Sequence, residues 1–361
     1  MGLFFQILNW FYEKKELELL PLFKQFIRDT RTGRRLKING ERIKPQTVRN
    51  YEEVLKLLDS FCVFKGSILK VRLLVGRNGK LSIRESNRWK RFYFSFCNYL
   101  YDEKNCFDNY VGLVVRVLKA FFRYLRRDRL LEIGGFHENF YAPSEEIDVI
   151  ALSHLQLRFL IQDRSFESKL SARLQLMKDI FVFGCTVALR SSDLFRLSYQ
   201  DIRKIGSRSY LSVKSRKTGA RTTIRLPDYL IQIIDRLRMR NPTSVFLFPK
   251  TSIERFNVNI KRIGELAGWQ EAMPKVRYRR GKPIQQLSDK NLNQPRFCDR
   301  LSTHVMRKTA ITTMLMLGMP ELLVRKISGH SPNSREFYRY VNFAQELMDN
   351  QIEKMYRKLL G

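Results

Sequence analysis

Lysine and arginine outnumber aspartate and glutamate by 67 to 35 in this chain of 361 residues, a formal net charge of +32. Like charges at that density repel one another and oppose a compact fold, so the excess points to a polyanionic partner: DNA, RNA or an anionic membrane face. Hydrophobic residues at 44% and aromatics at 12% supply ample material for packed cores, which excludes wholesale disorder. The membrane face is the weakest of the three partners. The longest apolar runs, such as residues 180–189, fall short of a spanning helix and contain Gly184, Cys185 and Thr186. The N-terminal dozen residues are apolar but lack the basic leader and small-residue cleavage site of a signal peptide, and Gln6 stands where a myristoylation signal needs Ser or Thr. That stretch reads as a short amphipathic helix. Five cysteines (Cys62, Cys97, Cys106, Cys185, Cys298) form an odd set with no C-x-x-C spacing, which predicts a reducing compartment, no disulfide framework and no zinc site.

The first half reads as helical. Pro45 opens an apolar series at Val48, Tyr51, Val54, Leu55, Leu58 and Phe61, spaced by three and four. A second series runs through Trp89, Phe92, Phe94, Phe96 and Leu100. A third runs through Val111, Val114, Val115, Leu118, Phe121, Phe122 and Leu125, with Arg116, Lys119, Arg123, Arg126, Arg127 and Arg129 on the outer face. The expected organisation is an N-terminal segment (residues 1–36), a helical domain (37–135), a linker (136–146) and a second domain (147–361), the linker being placed where the stretch from Gly134-Gly135 to Ser144 carries Gly, Asn, Pro and Ser and loses periodicity. The fold class is mainly α with a small β-hairpin. The strands of that hairpin are residues 210–213 and 222–226, β-branched and alternating, around the loop Ser215-Arg216-Lys217-Thr218-Gly219-Ala220. Residues 275–300 hold eight basic and two acidic side chains and read as a flexible, basic, nucleic-acid-facing loop.

Four short stretches bear chemistry. In Leu301-Ser302-Thr303-His304-Val305-Met306-Arg307-Lys308, Ser302 and Thr303 are good N-cap residues, and His304 and Arg307 share one face of the first turn, where free backbone N–H groups already favour an anion. In Ala188-Leu189-Arg190-Ser191-Ser192-Asp193-Leu194, an apolar run ends on Arg190. Asp193 either holds its guanidinium or caps the next helix. Lys217 sits in the hairpin loop, where a lysine is either solvated or aimed into a cleft. In Ile327-Ser328-Gly329-His330, Gly329 suits a loop and His330 precedes an expected helix start at Ser331-Pro332-Asn333, with Phe337-Tyr338-Arg339-Tyr340-Val341 beyond. There is no phosphate-binding loop of the P-loop type, and no evident carboxylate set for two-metal catalysis.

Read in order, Arg190, Lys217, His304-x-x-Arg307, Gly329-His330 and Tyr340 resemble the catalytic set of the tyrosine recombinase (phage integrase) family. Ala188–Leu194 is similar to the family's first arginine box. Lys217-Thr218-Gly219 with Thr223-Ile224-Arg225-Leu226-Pro227 resembles its lysine hairpin. The resemblance covers about residue 144 to the C-terminus, and Thr47-Val48-Arg49-Asn50-Tyr51 is similar to the start of the family's helical core-binding domain. It implies a site-specific recombinase that cuts and rejoins double-stranded DNA through a 3′-phosphotyrosyl link, with no metal, nucleotide or other cofactor. Arg190 and Arg307 would clamp the phosphate oxygens, His304 and His330 would add donors to them, Lys217 would protonate the leaving oxygen, Tyr340 would attack, and Asp193 would orient Arg190. The family usually places its tyrosine nine residues after the G-H histidine; here Tyr338 lies eight and Tyr340 ten residues on. Tyr340 is preferred because Phe337-x-x-Tyr340-Val341 resembles a version found in mobile-element integrases, with one residue inserted near Pro332-Asn333. Tyr338 is the alternative nucleophile, and Lys214 the rival of Lys217.

The same resemblance implies a homo-oligomer on DNA, a tetramer of two dimers, with possible accessory DNA-bending proteins and a cytoplasmic, nucleoid-associated location. The C-terminal series Phe343, Leu347, Ile352, Met355 and Leu359 packs either into a neighbouring protomer or onto its own domain. Two other readings share the fold: a catalytically silent DNA-binding protein and an enzyme resembling a type IB topoisomerase.

Overall fold

The computed structural model describes residues 16–74, 79–216, 219–287 and 294–359. The chain forms two compact units. One holds residues up to Glu146 together with Val276–Gln285, and the other holds Ile147–Lys275 and Gln286 onward.

The first unit is built from β1 (Glu16–Glu18), α1 (Leu19–Thr32), α2 (Pro45–Lys65), β2 (Lys70–Arg72), α3 (Gly79–Asp102) and α4 (Asp108–Arg127). Helix α2 starts with proline in its first turn, where no N–H is lost, and ends on Gly66 at φ +59°, a conformation that glycine adopts without penalty. Val48, Tyr51, Val54, Leu58 and Phe61 are buried, as their spacing predicts, and α4 buries its entire series while Arg116, Arg123, Arg126 and Arg127 stay exposed. Phe94 departs from the expected series. It is 54% exposed because it lies two residues from Phe92 and so falls off the buried stripe of α3.

Two boundaries differ from the sequence reading. Residues 16–36 are not a separate segment: β1 pairs antiparallel with β2, Phe23 packs on Phe121 at 4.7 Å, and Phe26 stacks on Tyr51 at 4.7 Å. The apolar face of α1 (Leu19, Leu22, Phe23, Phe26, Ile27) requires that burial. Residues 1–15, with the expected amphipathic helix, lie outside the described residues. The stretch 136–146 is no linker either. Phe136 stacks on Trp89 at 5.0 Å, Phe140 stacks on Tyr93 at 5.1 Å, and both are buried. Aromatic burial outweighs the local glycine and proline content.

The second unit contains α5 (His154–Gln162), α6 (Arg164–Lys169), α7 (Ala172–Val187), α8 (Ser191–Leu194), the antiparallel sheet β3 (Ile202–Ile205), β4 (Arg208–Lys214) and β5 (Arg221–Arg225), then α9 (Asp228–Arg240) and α10 (Ile253–Leu266). The chain then forms a hairpin of the first unit, β6 (Lys275–Arg279) and β7 (Lys282–Gln286), and returns to the second unit with α11 (Phe297–Arg300), α12 (Thr303–Met316), α13 (Glu321–Ser328) and α14 (Arg335–Leu359). Helix α7 is apolar almost all round and forms the centre of the core. Helix α12 lies against it closely at Gly184, where any Cβ would sit 2.4 Å from Met306 Sδ. The β4–β5 hairpin occurs where the alternation predicts, with Tyr210 opposite Arg225 and Lys214 opposite Arg221.

The basic stretch 275–300 is not a flexible loop. Residues 275–286 form the β6–β7 hairpin, turned by Arg280 and Gly281 at φ +53° and +72°, the paired left-handed residues of a type I′ turn. Its cations are engaged. Arg277 pairs with buried Glu145 at 2.6 Å, Tyr278 N–H donates to the same carboxylate at 2.6 Å, and Arg280 pairs with Asp102 at 2.8 Å. The N–H groups of Arg280 and Gly281 both donate to Asp108, at 2.8 and 2.9 Å. Burial alone would raise the pKa of Glu145; the Arg277 fork and the Tyr278 N–H outweigh it and hold the carboxyl below its usual range. Residues 288–293 lie outside the described residues.

All five cysteines are free, and no described helix is long and apolar enough to cross a membrane.

His137 is a weak point of the first unit. Its ring is fully buried beside Phe122 and Phe136, and neither nitrogen has a partner. Burial, then nearby Arg126, pushes its pKa down to about 4. Between about pH 6.5 and 4 the unfolded chain binds a proton that the folded chain refuses, so stability falls by about 3 kcal/mol as pH drops through that window. His137→Phe is expected to be more stable at pH 7 and to lose less on acidification, as read from urea unfolding at pH 7 and pH 5. An identical acid loss in both proteins would contradict this.

Candidate active site

Helix α7 ends at Val187, and Ala188 turns the chain with φ +54°, a left-handed conformation that costs alanine about 1 kcal/mol. The turn is held from outside: Ala188 is fully buried and its carbonyl accepts a 2.8 Å bond from Arg307 Nη1. The chain re-emerges at Arg190, immediately before α8. Helix α12 presents His304 and Arg307 one turn apart. Ser302 occupies the N-cap position but makes no side-chain cap; the Thr303 N–H instead donates to Asn257 Oδ1 at 2.9 Å. Helix α13 ends on Gly329 at φ +63°, which delivers His330, and a position for a Cβ on Gly329 would lie 3.9 Å from Arg190 Nη1. Helix α14 starts at Arg335, later than the Ser331-Pro332-Asn333 start expected from sequence, because residues 331–334 form a loop.

These elements enclose one cleft of about 470 Å³, lined by Arg190, His304, Arg307, His330 and Tyr340. Lys308 and Arg339, which the sequence reading passed over, line it too. Lys308 follows His304 by four residues, so the same helical spacing that joins His304 to Arg307 could have found it. Lys217 lies outside the described residues. The residues leading into its loop are tied to the site: Arg190 Nη1 donates to Ser215 Oγ at 3.2 Å, and Asp193 Oδ1 accepts from the Arg216 N–H at 3.1 Å. The carboxylate of Asp193 is thus engaged by the loop backbone. It makes no ion pair with the Arg190 guanidinium and anchors the hairpin loop.

Arg307 is 9% exposed. Burial, then the neighbouring Arg190, lowers its pKa to about 10, so it stays charged at neutral pH. Its Nη2 lies 3.3 Å from His330 Nδ1 and 3.2 Å from Nε2. Ser328 Oγ lies 2.8 Å from His330 Nδ1 and spends its own proton on Val324 O at 2.6 Å. That ordering makes Nδ1–H the donor to Ser328, with the Arg307 Nη2 set against the ring nitrogens. Burial and then the Arg307, Arg190 and Arg325 charges drive the His330 pKa down to about 3, so the ring is neutral. At rest the Nδ1–H of His330 is committed to Ser328, and the ring lies against the Arg307 guanidinium at the cleft wall. His304 is exposed at the cleft, with its pKa lowered by partial desolvation and by Lys308 and Arg307.

The two tyrosines separate clearly. Tyr340 is half-buried in the cleft, its ring 5.8 Å from that of His330. Burial raises its pKa while Arg307 draws it down, so the phenol is protonated at rest. Tyr338 is 52% exposed, does not line the cleft, and carries the Arg325 guanidinium 4.8 Å above its ring. Among the described residues, no three His, Cys, Asp or Glu side chains gather as a metal-holding group.

Arginine, lysine and imidazole thus converge on one open space beside a phenol, a charge arrangement suited to an anion. Residues 152–346 match the phage integrase family model, more than half of the chain, and the chain belongs to this family of tyrosine recombinases. Three solved structures share its fold. A lambda integrase dimer bound to a COC′ core site superposes with a TM-score of 0.57 at 14% identity over 90% of this chain and 77% of that one. The XerH site-specific recombinase bound to difH gives 0.53 at 14% identity over 88% and 81%. The Tn1549 transposon integrase in complex with transposon right-end DNA gives 0.53 at 17% identity over 91% and 94%. No curated protein matches the chain.

Inorganic phosphate should raise the melting temperature above that in chloride at equal ionic strength, by the equivalent of about 1.4 kcal/mol at ten times its Kd. Arg190→Ala should lose most of this increment, whereas Lys204→Ala, on the exposed strand β3, should keep it.

Proposed function

We propose that this protein is a site-specific DNA recombinase that breaks and rejoins double-stranded DNA through a 3′-phosphotyrosyl intermediate, without metal or ATP. The observation that carries the reading is the convergence of Arg190, His304, Arg307 and His330 on one cleft with Tyr340 at its wall. The Tyr340 oxygen attacks the phosphorus, the P–O5′ bond breaks, and the DNA stays joined through its 3′-phosphate. Arg190 and Arg307 hold the non-bridging oxygens as negative charge grows on them, and His304 contributes a further donor. His330 keeps Arg307 in place. An anionic phosphate beside Tyr340 opposes a free phenolate, so the phenol proton leaves as the O–P bond forms, passing to the imidazole of His304, which is neutral at rest and lines the same cleft. Lys217, at the tip of a loop tied to Arg190 and Asp193, protonates the leaving 5′-oxygen. The phosphotyrosine conserves the bond energy for rejoining to a new 5′-hydroxyl.

The related proteins support the partners. Lambda integrase has been seen as a dimer on a core site and as a tetramer bound to a Holliday junction. In this chain α14 exposes Ile352, Tyr356 and Leu359 at helical spacing, an apolar face suited to a second copy. Assembly as two dimers on duplex DNA, in the cytoplasm at the nucleoid, and with accessory bending proteins where the site requires them, follows from this reading.

The test is a nicked suicide duplex. Wild-type protein should become covalently linked and migrate slowly on a denaturing gel; Tyr340→Phe should abolish the adduct, and Tyr338→Phe should retain it. Tight, salt-sensitive binding with no adduct would indicate a silent DNA-binding protein. Relaxation of supercoils by a monomer would indicate topoisomerase activity. Lys217→Ala should slow cleavage by about 10²–10⁴-fold. A 5′-bridging phosphorothiolate, whose sulfur leaves without a proton, should restore most of that rate; absence of rescue would remove Lys217 from the role of acid.

A further inference from the structure

We propose that Arg325 positions the nucleophile: it clamps the loop between His330 and α14 and thereby sets Tyr340, and not Tyr338, against the phosphate. This rests on the reading of Tyr340 given above. Arg325 lies in α13, is 7% exposed, and does not line the cleft. Its contacts reach around the connection that the chemistry depends on. Nη1 donates to the carbonyls of Ser331 and Pro332 at 3.3 and 3.0 Å, and Nη2 pairs with Glu321 at 3.3 Å. The guanidinium carbon sits 4.1 Å over the Phe337 ring and 4.8 Å over the Tyr338 ring. Its own carbonyl accepts the His330 N–H at 3.0 Å.

One residue therefore touches both sides of the site, fixing His330 through the main chain and the start of α14 through the side chain. The loop Ser331-Pro332-Asn333-Ser334 is short, polar and mostly exposed, so it supplies little packing of its own to hold α14 in rotation. Residues 338 and 340 point about 200° apart around a helix. Stacking Arg325 on Tyr338 holds that ring away from the cleft and turns Tyr340 toward it. A charged side chain buried at this spot is costly unless its donors are met, and the loop carbonyls meet them.

The experiment uses the full chain and a duplex it selects from a random-sequence pool, with nicks stepped through the selected site. The readouts are the adduct rate at saturating DNA, the Kd for the duplex, the melting temperature, and the tyrosine that carries the DNA, mapped by peptide analysis. Arg325→Met, which keeps the stem, is expected to form adduct about tenfold or more slowly with an unchanged Kd, as misplacement of a reacting group does. Part of its adduct should move to Tyr338. Arg325→Lys, which keeps the charge and one donor, should fall between. Tyr338→Phe preserves the stack and should match wild type, while Tyr338→Leu removes it from an exposed position and should slow cleavage several-fold. This last variant carries the test if Arg325→Met does not fold. Arg325→Met linking at the wild-type rate through Tyr340 alone overturns the proposal. So does a joint fall of rate, affinity and melting temperature with Tyr338→Leu unaffected. Wild type without an adduct, or an adduct in Tyr340→Phe, overturns the functional reading and this inference with it.

Discussion

Withdrawing a guanidinium from water costs several kcal/mol unless its donors are satisfied, and Arg307 is withdrawn with no carboxylate at ion-pair distance among the described residues. Two contacts hold it: the carbonyl of Ala188 and the ring of His330. Each of those depends on a backbone feature of its own, the left-handed Ala188 at the end of α7 and the left-handed Gly329 at the end of α13. The close passage of α12 over Gly184 brings Arg307 within reach of the first. The fold of the second unit can be understood as the scaffold that keeps one cation without an ion-pair partner in place beside another, Arg190. Because that arrangement exists before any anion arrives, little reorganisation is left for the reaction itself.

The site residues were legible because each motif is a local pattern whose geometry follows from helix period or turn chemistry. His304 and Arg307 share a face because they are three apart, and Gly329 is demanded by a helix end at positive φ. Phe337 and Tyr340 show the same logic: the phenylalanine fills the core and the tyrosine, one turn on, reaches the cleft. What sequence could not reveal were partners brought together from afar. Asp193 looks like a mate for Arg190 three residues away, yet it serves the backbone of Arg216. His330 looks like a free donor, yet at rest its Nδ1–H is committed to Ser328. Arg325 carries no recognisable signal, since its partners are loop carbonyls and ring faces. Composition misled in two places, at residues 136–146 and 275–286, where aromatic burial and buried carboxylates overrule glycine content and positive charge.

The positive charge is thus divided by job. Arg277 and Arg280 are matched to acids inside the first unit, and Arg236 likewise to Asp179 in the second. Arg190, Arg307 and Lys308 instead face an open cleft. A net charge read from sequence overstates what is available to a nucleic acid, because part of it is already spoken for by folding.

The β6–β7 hairpin has a consequence for how such a chain can change over time. The first unit is discontinuous: its buried Glu145 and the Asp108 carboxylate receive their hydrogen bonds from residues encoded far downstream, between two segments of the second unit. A crossover between genes at the apparent domain boundary would part those acids from their donors and leave a buried anion stranded. Shuffling that exchanges the first unit between relatives must therefore carry the hairpin along with the helices, so the heritable module is two distant stretches of sequence rather than one contiguous block.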